Sequence, residues 1–181
     1  IREKNEDNLT LVYNDARRFG AIDVVETVSA FRHKWLKSLG PEPFGKCYSV
    51  SYLKKKLWKR VTSIKAALLD QSIVAGIGNI YASEILWKAK LSPYRKAGDL
   101  DELELEKIVQ ETKSVLNKAI LKGGSSLKDF KNTHGDIGYF QNQFNVYDRD
   151  GLNCKNKKCF GLIKKVVQNG RSSYFCNRCQ D

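Results

Sequence analysis

Four cysteines near the end of the chain constrain its fold more than any other feature of the sequence. Cys154 and Cys159 are separated by four residues, Cys176 and Cys179 by two, and sixteen residues lie between the pairs. Two such pairs on hairpin turns can place four thiolates at the corners of a tetrahedron around Zn²⁺. Because four thiolates leave no open position for water, the pattern predicts one structural zinc and not a catalytic one.

The same cysteines could instead form two disulfides. No basic and apolar leader opens the chain, however, and disulfides are rare in the reducing compartment that this suggests. The fifth cysteine, Cys47, lies far upstream among aromatic residues and is predicted to be a small buried side chain. Because residues 144–181 contain few aliphatic side chains, we expect zinc to supply most of their stability.

The charge of the chain favours a partner that is a polyanion. Lysine and arginine number 32 against 20 acidic residues, which gives a net charge of +12, while 41% of the residues are hydrophobic. Residues 32–65 hold ten bases and one acid, whereas residues 99–111 are acidic and predict a solvated helix face turned away from phosphate. A folded protein with this field is most simply a nucleic-acid binder, although a basic composition alone does not require it.

Other function classes fit the sequence less well. No apolar run approaches the length of about 18 residues that a membrane helix needs, so a cytoplasmic protein is expected. Methionine is absent throughout, including position 1, so we expect Ile1 to follow a cut or an upstream part of a longer protein.

Hydrophobic periodicity predicts a mainly helical domain followed by hairpins. Helices are expected where apolar residues recur every three or four positions. Ser51 is predicted to cap the second helix, whose inward face would carry Leu53, Leu57, Trp58 and Val61. Gly123 and Gly124 are expected to end the last helix. Two short strands are expected near the start, and further strands around the cysteines. The predicted helices are 29–39, 51–61, 65–70, 79–90 and 101–121, and the predicted early strands are 9–13 and 19–25.

The turn before the fourth predicted helix is the best candidate for a phosphate site. Gly76 and Gly78 allow the backbone to approach a ligand closely, and Asn79 begins a helix whose first N–H groups are free. Lys65 is near in sequence and could add a positive charge. Taken alone, the residues fit equally well a tight turn that Asn79 caps.

Four ordered segments of the chain resemble the formamidopyrimidine and endonuclease-eight class of DNA glycosylases. The closest resemblance is to the helix–two-turn–helix signature of that class, and the similarity spans essentially the whole chain. The first cysteine pair departs from the pattern, since many relatives have two intervening residues where this chain has four. The four segments are residues 15–20, 69–84, 123–130 and 170–180.

The resemblance implies roles for individual residues. Lys65, Asn79, Tyr147 and Arg171 match residues that bind phosphates around the lesion. Arg17 and Phe19, with Arg18 between them, match the side chains that fill the space left by an extruded base. Residues 123–139 match the loop that closes over that base.

The resemblance also implies a domain plan and an activity. The plan is the end of an N-terminal β-sandwich at 1–25, a helical domain at 26–140 and a four-cysteine zinc finger at 141–181. The implied whole protein is a bacterial, nucleoid-associated monomer that binds damaged double-stranded DNA, excises oxidised purines and cleaves abasic sites. Its nucleophile is an N-terminal proline followed by glutamate, for which no match exists here, so no catalytic residue is assigned and the chain alone is expected to be inactive.

Two other interpretations stay open at this point. The chain could be a stand-alone DNA-binding module without catalysis, or a ribosomal or RNA-binding zinc ribbon. The RNA interpretation fits the charge and the cysteines but leaves the motif around Asn79 unexplained.

Overall fold

The computed structural model describes residues 12, 13, 15, 18–125 and 139–180 of the chain. The chain divides into two compact units, residues 1–37 and 38–181. The second unit holds helices α1 to α4 followed by the hairpin of strands β1 and β2. Their bounds are α1 Val50–Leu57, α2 Ile64–Leu69, α3 Asn79–Ala89, α4 Glu102–Leu121, β1 Ile163–Gln168 and β2 Arg171–Cys176. None of the helices in the described ranges is both long enough and apolar enough to cross a membrane.

The first unit differs from the sequence prediction. Residues 19–25 form no strand with any other described residue, and strand 9–13 falls almost wholly outside the described residues. Instead of an α-helix at 29–39, a 3₁₀ helix spans Thr27–Arg32 and none of its residues is buried. The apolar spacing there was misleading because Phe31 remains 86% exposed, so no burial within the unit favours a longer helix.

Helix α1 begins earlier and ends earlier than its pattern predicted. Ser49, rather than Ser51, is the N-cap, and its side chain accepts a hydrogen bond from the Tyr52 amide. Leu53 and Leu57 are buried as predicted, whereas Trp58 and Val61 are exposed. The helix ends at Leu57, so the two later residues do not continue its buried face.

Helices α2, α3 and α4 confirm their predictions closely. Gly76 has φ of 84°, which turns the chain between α2 and α3, and Gly78 is the N-cap of α3. Asp101 forms a capping box with Glu104 at the start of α4. Gly123 and Gly124, both with positive φ, follow the end of α4 as expected.

The core of the second unit lies between the four helices. Most of its members are aliphatic side chains from these helices and from the segments between them; Tyr48 joins it ahead of α1, and Phe140 and Phe144 extend it toward the tail. A smaller cluster in the tail combines Val146, Ile163 and Tyr174 with two cysteines. Strands β1 and β2 are antiparallel, with Gln168 opposite Arg171 at the turn. Most contacts between helices and hairpin join α3 to β2, so α3 positions the tail.

Candidate nucleic-acid interface and zinc centre

The four predicted cysteines meet at one point of the tail. Their Sγ atoms all lie within 4.8 Å of one another. The Sγ atoms of Cys154 and Cys179 are 3.8 Å apart, and those of Cys159 and Cys176 are 3.6 Å apart. A tetrahedral zinc with Zn–S bonds of about 2.3 Å requires sulfurs separated by about 3.8 Å. The cluster therefore fits one structural Zn²⁺, and all five cysteines of the chain are free of disulfides.

Neighbouring groups shape this cluster for a closed metal site. Trp87 on α3 donates from Nε1 to Cys154 Sγ at 3.3 Å, and the Gly161 amide donates to Cys159 Sγ at 3.4 Å. A Cβ on Gly161 would lie 2.8 Å from Cys176 Sγ, so only glycine fits there without displacing a sulfur. Hydrogen bonds to sulfur stabilise the thiolate form that a metal needs. Cys47 is exposed, so the prediction that it is buried was wrong.

Lys65 connects the helical part to the hairpin. Its side chain is buried, and Nζ donates to the Ser172 carbonyl at 2.9 Å and to Ser173 Oγ at 2.7 Å. Desolvation, followed by repulsion from Arg171, lowers the pKa of Lys65 to about 8. Neither bonded oxygen carries a charge, so the ammonium lacks an anionic partner among the described residues.

Asn79 reaches the same strand from the first turn of α3. Its Nδ2 donates to the Ser172 carbonyl at 2.9 Å, so this carbonyl accepts hydrogen bonds from both Asn79 and Lys65. Its Oδ1 is buried and accepts no hydrogen bond from a described residue. The side chain does not cap α3, because Gly78 occupies the N-cap position.

Arg171 completes a basic cleft beside these two residues. It is exposed at the start of β2, after a turn in which Asn169 and Gly170 both have positive φ. The cleft measures about 210 Å³ and contains one acidic side chain, Asp70, whose pKa is lowered mainly by its hydrogen bond from Ser72. Its lining residues are Lys65, Ala66, Leu69, Asp70, Gln168, Asn169 and Arg171.

Tyr147 lies elsewhere and is held by an unexpected residue. It lines a separate cleft of about 260 Å³, and its ring packs between Phe144 and Tyr174. Its amide donates to Glu84 Oε1 at 3.0 Å. Glu84, on α3, is 1% exposed and also accepts bonds from the amides of Asn145 and Val146 and from Asn145 Nδ2.

The remaining predicted residues are only partly covered by the structure. Arg18 is exposed with φ of 57°, and Phe19 is 82% exposed. The Gly20 amide donates to Asp15 Oδ2 at 2.6 Å, which stabilises the turn that carries both. Arg17 and residues 126–138 of the predicted capping loop lie outside the described residues.

Comparison with known proteins assigns the fold to a family. Residues 39–131 match the profile described as the formamidopyrimidine-DNA glycosylase H2TH domain, and residues 157–181 match a zinc finger found in FPG and IleRS. The chain belongs to the formamidopyrimidine-DNA glycosylase family. It is 49% identical over 94% of its length to the formamidopyrimidine-DNA glycosylase of Dinoroseobacter shibae, of which it covers 60%.

Solved structures of formamidopyrimidine-DNA glycosylases share this fold. The Lactococcus lactis Fpg in complex with DNA containing an abasic site superposes with a TM-score of 0.86 at 35% identity, covering 95% of this chain and 62% of that one. A variant of the same protein in complex with DNA containing Fapy-dG gives 0.79 at 34% identity, covering 87% and 57%. The chain thus spans about three fifths of the length of these relatives.

Within this formamidopyrimidine-DNA glycosylase fold, sequence reasoning named basic residues as candidates and missed the side chains that join the helices to the tail. Glu84, Ser172 and Ser173 were not assigned roles, and neither was Gln180, whose side chain joins the Cys176 amide to the Leu91 carbonyl. Glu84 gave one usable signal, since it is a carboxylate in an otherwise apolar helical run, where an unpaired charge is rare. The serines gave none, because their partners are distant in sequence.

Proposed function

We propose that this chain supplies the DNA-binding part of a base-excision-repair DNA glycosylase that also cleaves abasic sites. The substrate class is oxidised purines in duplex DNA, and the active protein is a monomer. Membership of the formamidopyrimidine-DNA glycosylase family supports the activity. The DNA held by the two Lactococcus lactis complexes supports the substrate. We also propose three segments: the end of a β-sandwich at 1–25, a helical domain at 26–140 and the zinc finger at 141–181.

The observation that carries the proposal is the convergence of Lys65, Asn79 and Arg171 from α2, α3 and β2. Lys65 and Asn79 share the Ser172 carbonyl as hydrogen-bond acceptor, and Arg171 is the residue immediately before Ser172. The two cations repel each other, which is the second cause of the lowered pKa of Lys65. A DNA phosphate placed between them would supply the missing negative charge.

Gly78 supports the same assignment. Its φ of −101° is open to any residue, and no described atom lies within 4 Å of where a Cβ would stand. Neither backbone conformation nor packing within the described residues therefore requires glycine at this N-cap. Close approach of a phosphate to the first amides of α3 would require it, because a side chain would block the path.

The chemistry proposed for the whole protein needs an amine that attacks the sugar to form a Schiff base. Pro41, Pro43 and Pro93 are internal, so their nitrogens are amides and cannot be this nucleophile. Arg17 and Phe19 would fill the space of the extruded base, Tyr147 would contact a phosphate, and residues 123–139 would cover the base. We propose that residues 1–181 bind DNA and do not form the Schiff base themselves.

Borohydride trapping on a duplex with an abasic site tests this proposal directly, because reduction converts a Schiff base into a covalent adduct. We expect no adduct from the zinc-loaded chain, together with tighter binding to the abasic duplex than to undamaged duplex or structured RNA at matched salt. An adduct would show that Ile1 or a lysine acts as the nucleophile and would overturn the assignment. Equal binding to all three nucleic acids would instead favour a general nucleic-acid module.

A further inference from the structure

A second basic cleft lies at the C-terminal end of α3. There the helix meets the loop between Cys154 and Cys159, which is the first zinc knuckle. It measures about 460 Å³, within the range on the order of 300–1,000 Å³ that ligand pockets occupy. Its walls come from α3, α4 and the loop between Cys154 and Cys159. The lining residues are Trp87, Lys88, Lys90, Glu111, Lys155, Asn156, Lys157, Lys158 and Cys179.

Three of the five lysines in this cleft remain available to a ligand. Lys88 donates to Glu111 at 3.0 Å, and Lys155 Nζ donates to the Phe144 carbonyl at 2.6 Å. Lys90, Lys157 and Lys158 are exposed. The negative end of the α3 dipole accounts for Lys90, which follows the last turn of the helix. It does not account for Lys157 and Lys158 on the zinc knuckle.

The cleft also has an apolar wall of fixed geometry. Trp87 is half-buried, and its Nε1 is occupied by the bond to Cys154 Sγ. The indole ring therefore offers the cleft an apolar surface and no free donor. The methylene stems of the surrounding lysines extend this surface, while their ammonium groups stand at its rim.

This cleft is separate from the phosphate site at Lys65 and Asn79. Helix α3 has 11 residues, so its two ends lie about 16 Å apart. Asn79 is its first residue, whereas Trp87 and Lys88 belong to its last turn. The second cleft shares no lining residue with the cleft of Arg171.

We propose that this second cleft binds an acidic peptide segment of another protein, one that carries an apolar side chain among its carboxylates. The apolar side chain packs on Trp87, and the carboxylates pair with Lys90, Lys157 and Lys158. Duplex DNA fits the cleft less well, because a duplex is too stiff to enter it and its outer phosphodiester backbone offers no apolar group to the indole. A partner held here would sit beside the DNA without competing for it.

Fluorescence anisotropy of an aspartate-rich peptide ending in phenylalanine tests the proposal on the zinc-loaded chain. We expect saturable binding that weakens about tenfold in the double variant Lys157→Glu with Lys158→Glu, because two attractions become repulsions. The matched control reverses Lys55 and Lys107, exposed on α1 and α4, and should leave peptide binding nearly unchanged. Both double variants change the net charge equally, so their binding to abasic duplex should fall by the same small factor.

Three outcomes would overturn the proposal. Equal binding of a peptide that ends in alanine would mean that Trp87 contributes nothing and that the cleft only attracts anions. Displacement of the peptide by duplex DNA, with a selective loss of DNA affinity in the knuckle variant, would make the cleft a nucleic-acid site. An equal loss of peptide affinity in the two double variants would show that only the overall charge of the chain matters.

Discussion

The helical part and the zinc finger of the second unit are held together by different kinds of interaction. Residues 50–121 bury a continuous aliphatic core, including Leu53, Ile64, Ile85, Leu105 and Ile108. The finger has only a small cluster around Val146, Ile163 and Tyr174, and four cysteines take the place of a core. Burial is not directional and tolerates small shifts, whereas a metal and buried hydrogen bonds require fixed positions.

The difference shows why the proposed DNA interface depends on the finger. Arg171 and Ser172 belong to β2, while Lys65 and Asn79 belong to the helices, so the proposed phosphate site requires that the two parts be joined. Several polar connections cross that join, among them Lys65 to β2, Glu84 to residues 145–147, and Gln180 to Leu91. Lys65, Glu84 and Gln180 are buried and their partners are distant in sequence, so loss of one of these side chains leaves its partners buried without a hydrogen bond.

Removal of zinc should separate the two parts most clearly. With a chelator in excess, we expect residues 144–180 to lose their dispersed amide resonances, because structural zinc contributes on the order of 10 kcal/mol to such a fold. Residues 50–121 should keep theirs, and binding to abasic duplex should be lost. Backbone NMR with and without chelator measures this, and added zinc should restore the spectrum. A tail that stays fully dispersed would show that its small core suffices.

Glu84→Gln should break the strongest of the polar connections. The neutral amide keeps one acceptor but turns a donor toward the backbone amides that Glu84 now binds, so we expect a loss of about 2–4 kcal/mol in unfolding free energy. Urea unfolding of the zinc-loaded chain measures it. Glu106→Gln, on the exposed face of α4, is the control and should change little. Equal stability of the two variants would mean that the finger is held by other contacts.

Arg171→Glu should weaken DNA binding while leaving the fold intact. One charge-assisted phosphate contact is replaced by repulsion, so we expect a loss of about tenfold to a hundredfold on every duplex alike. Lys55→Glu gives the same change of charge away from the cleft and sets the baseline. Titrations of damaged and undamaged duplexes at one salt concentration compare the two. Loss of discrimination without loss of affinity would mean that Arg171 reads the lesion instead.

The smallest expected effect is a dependence of DNA affinity on pH. Lys65 must be charged to bind phosphate, and its pKa of about 8 means that the free protein loses this proton as the pH rises above 7. Affinity should therefore fall about threefold to fourfold between pH 7 and 8.5, with proton uptake on binding. Asp70 lines the same cleft, and its hydrogen bond from Ser72 lowers its pKa, so this carboxylate keeps its charge throughout the window. Calorimetry in two buffers of different ionisation enthalpy measures the uptake, and none would contradict the role of Lys65.

The sequence predicted the helices of the second unit well because their apolar faces repeat at helical spacing. The prediction failed where apolar spacing does not coincide with burial. Trp58 and Val61 fit the apolar pattern of α1, yet they lie beyond its end and are exposed. It failed again at residues 27–37, where apolar side chains stay exposed. Periodicity reports which side chains could share a face, and it does not report whether anything covers that face.

Residues of the candidate site divide in the same way. The zinc ligands were predictable because both pairs are local in sequence and their chemistry is specific. The local sequence left Lys65 and Asn79 divided between a phosphate site and a tight turn, and Arg171 was named only through the family resemblance, because their meeting point depends on how α3 packs against β2. Glu84 acts across some sixty residues of chain, a separation that no local pattern encodes.

Most of the groups that Glu84 binds are main-chain amides, at positions 145, 146 and 147. Every amino acid except proline carries such an amide, so substitutions at Val146 and Tyr147 leave this connection intact. This connection therefore places unequal requirements on the side chains of its two sides. At residues 146 and 147 the connection needs only the main chain, so packing alone selects the side chains there, while α3 must keep one carboxylate.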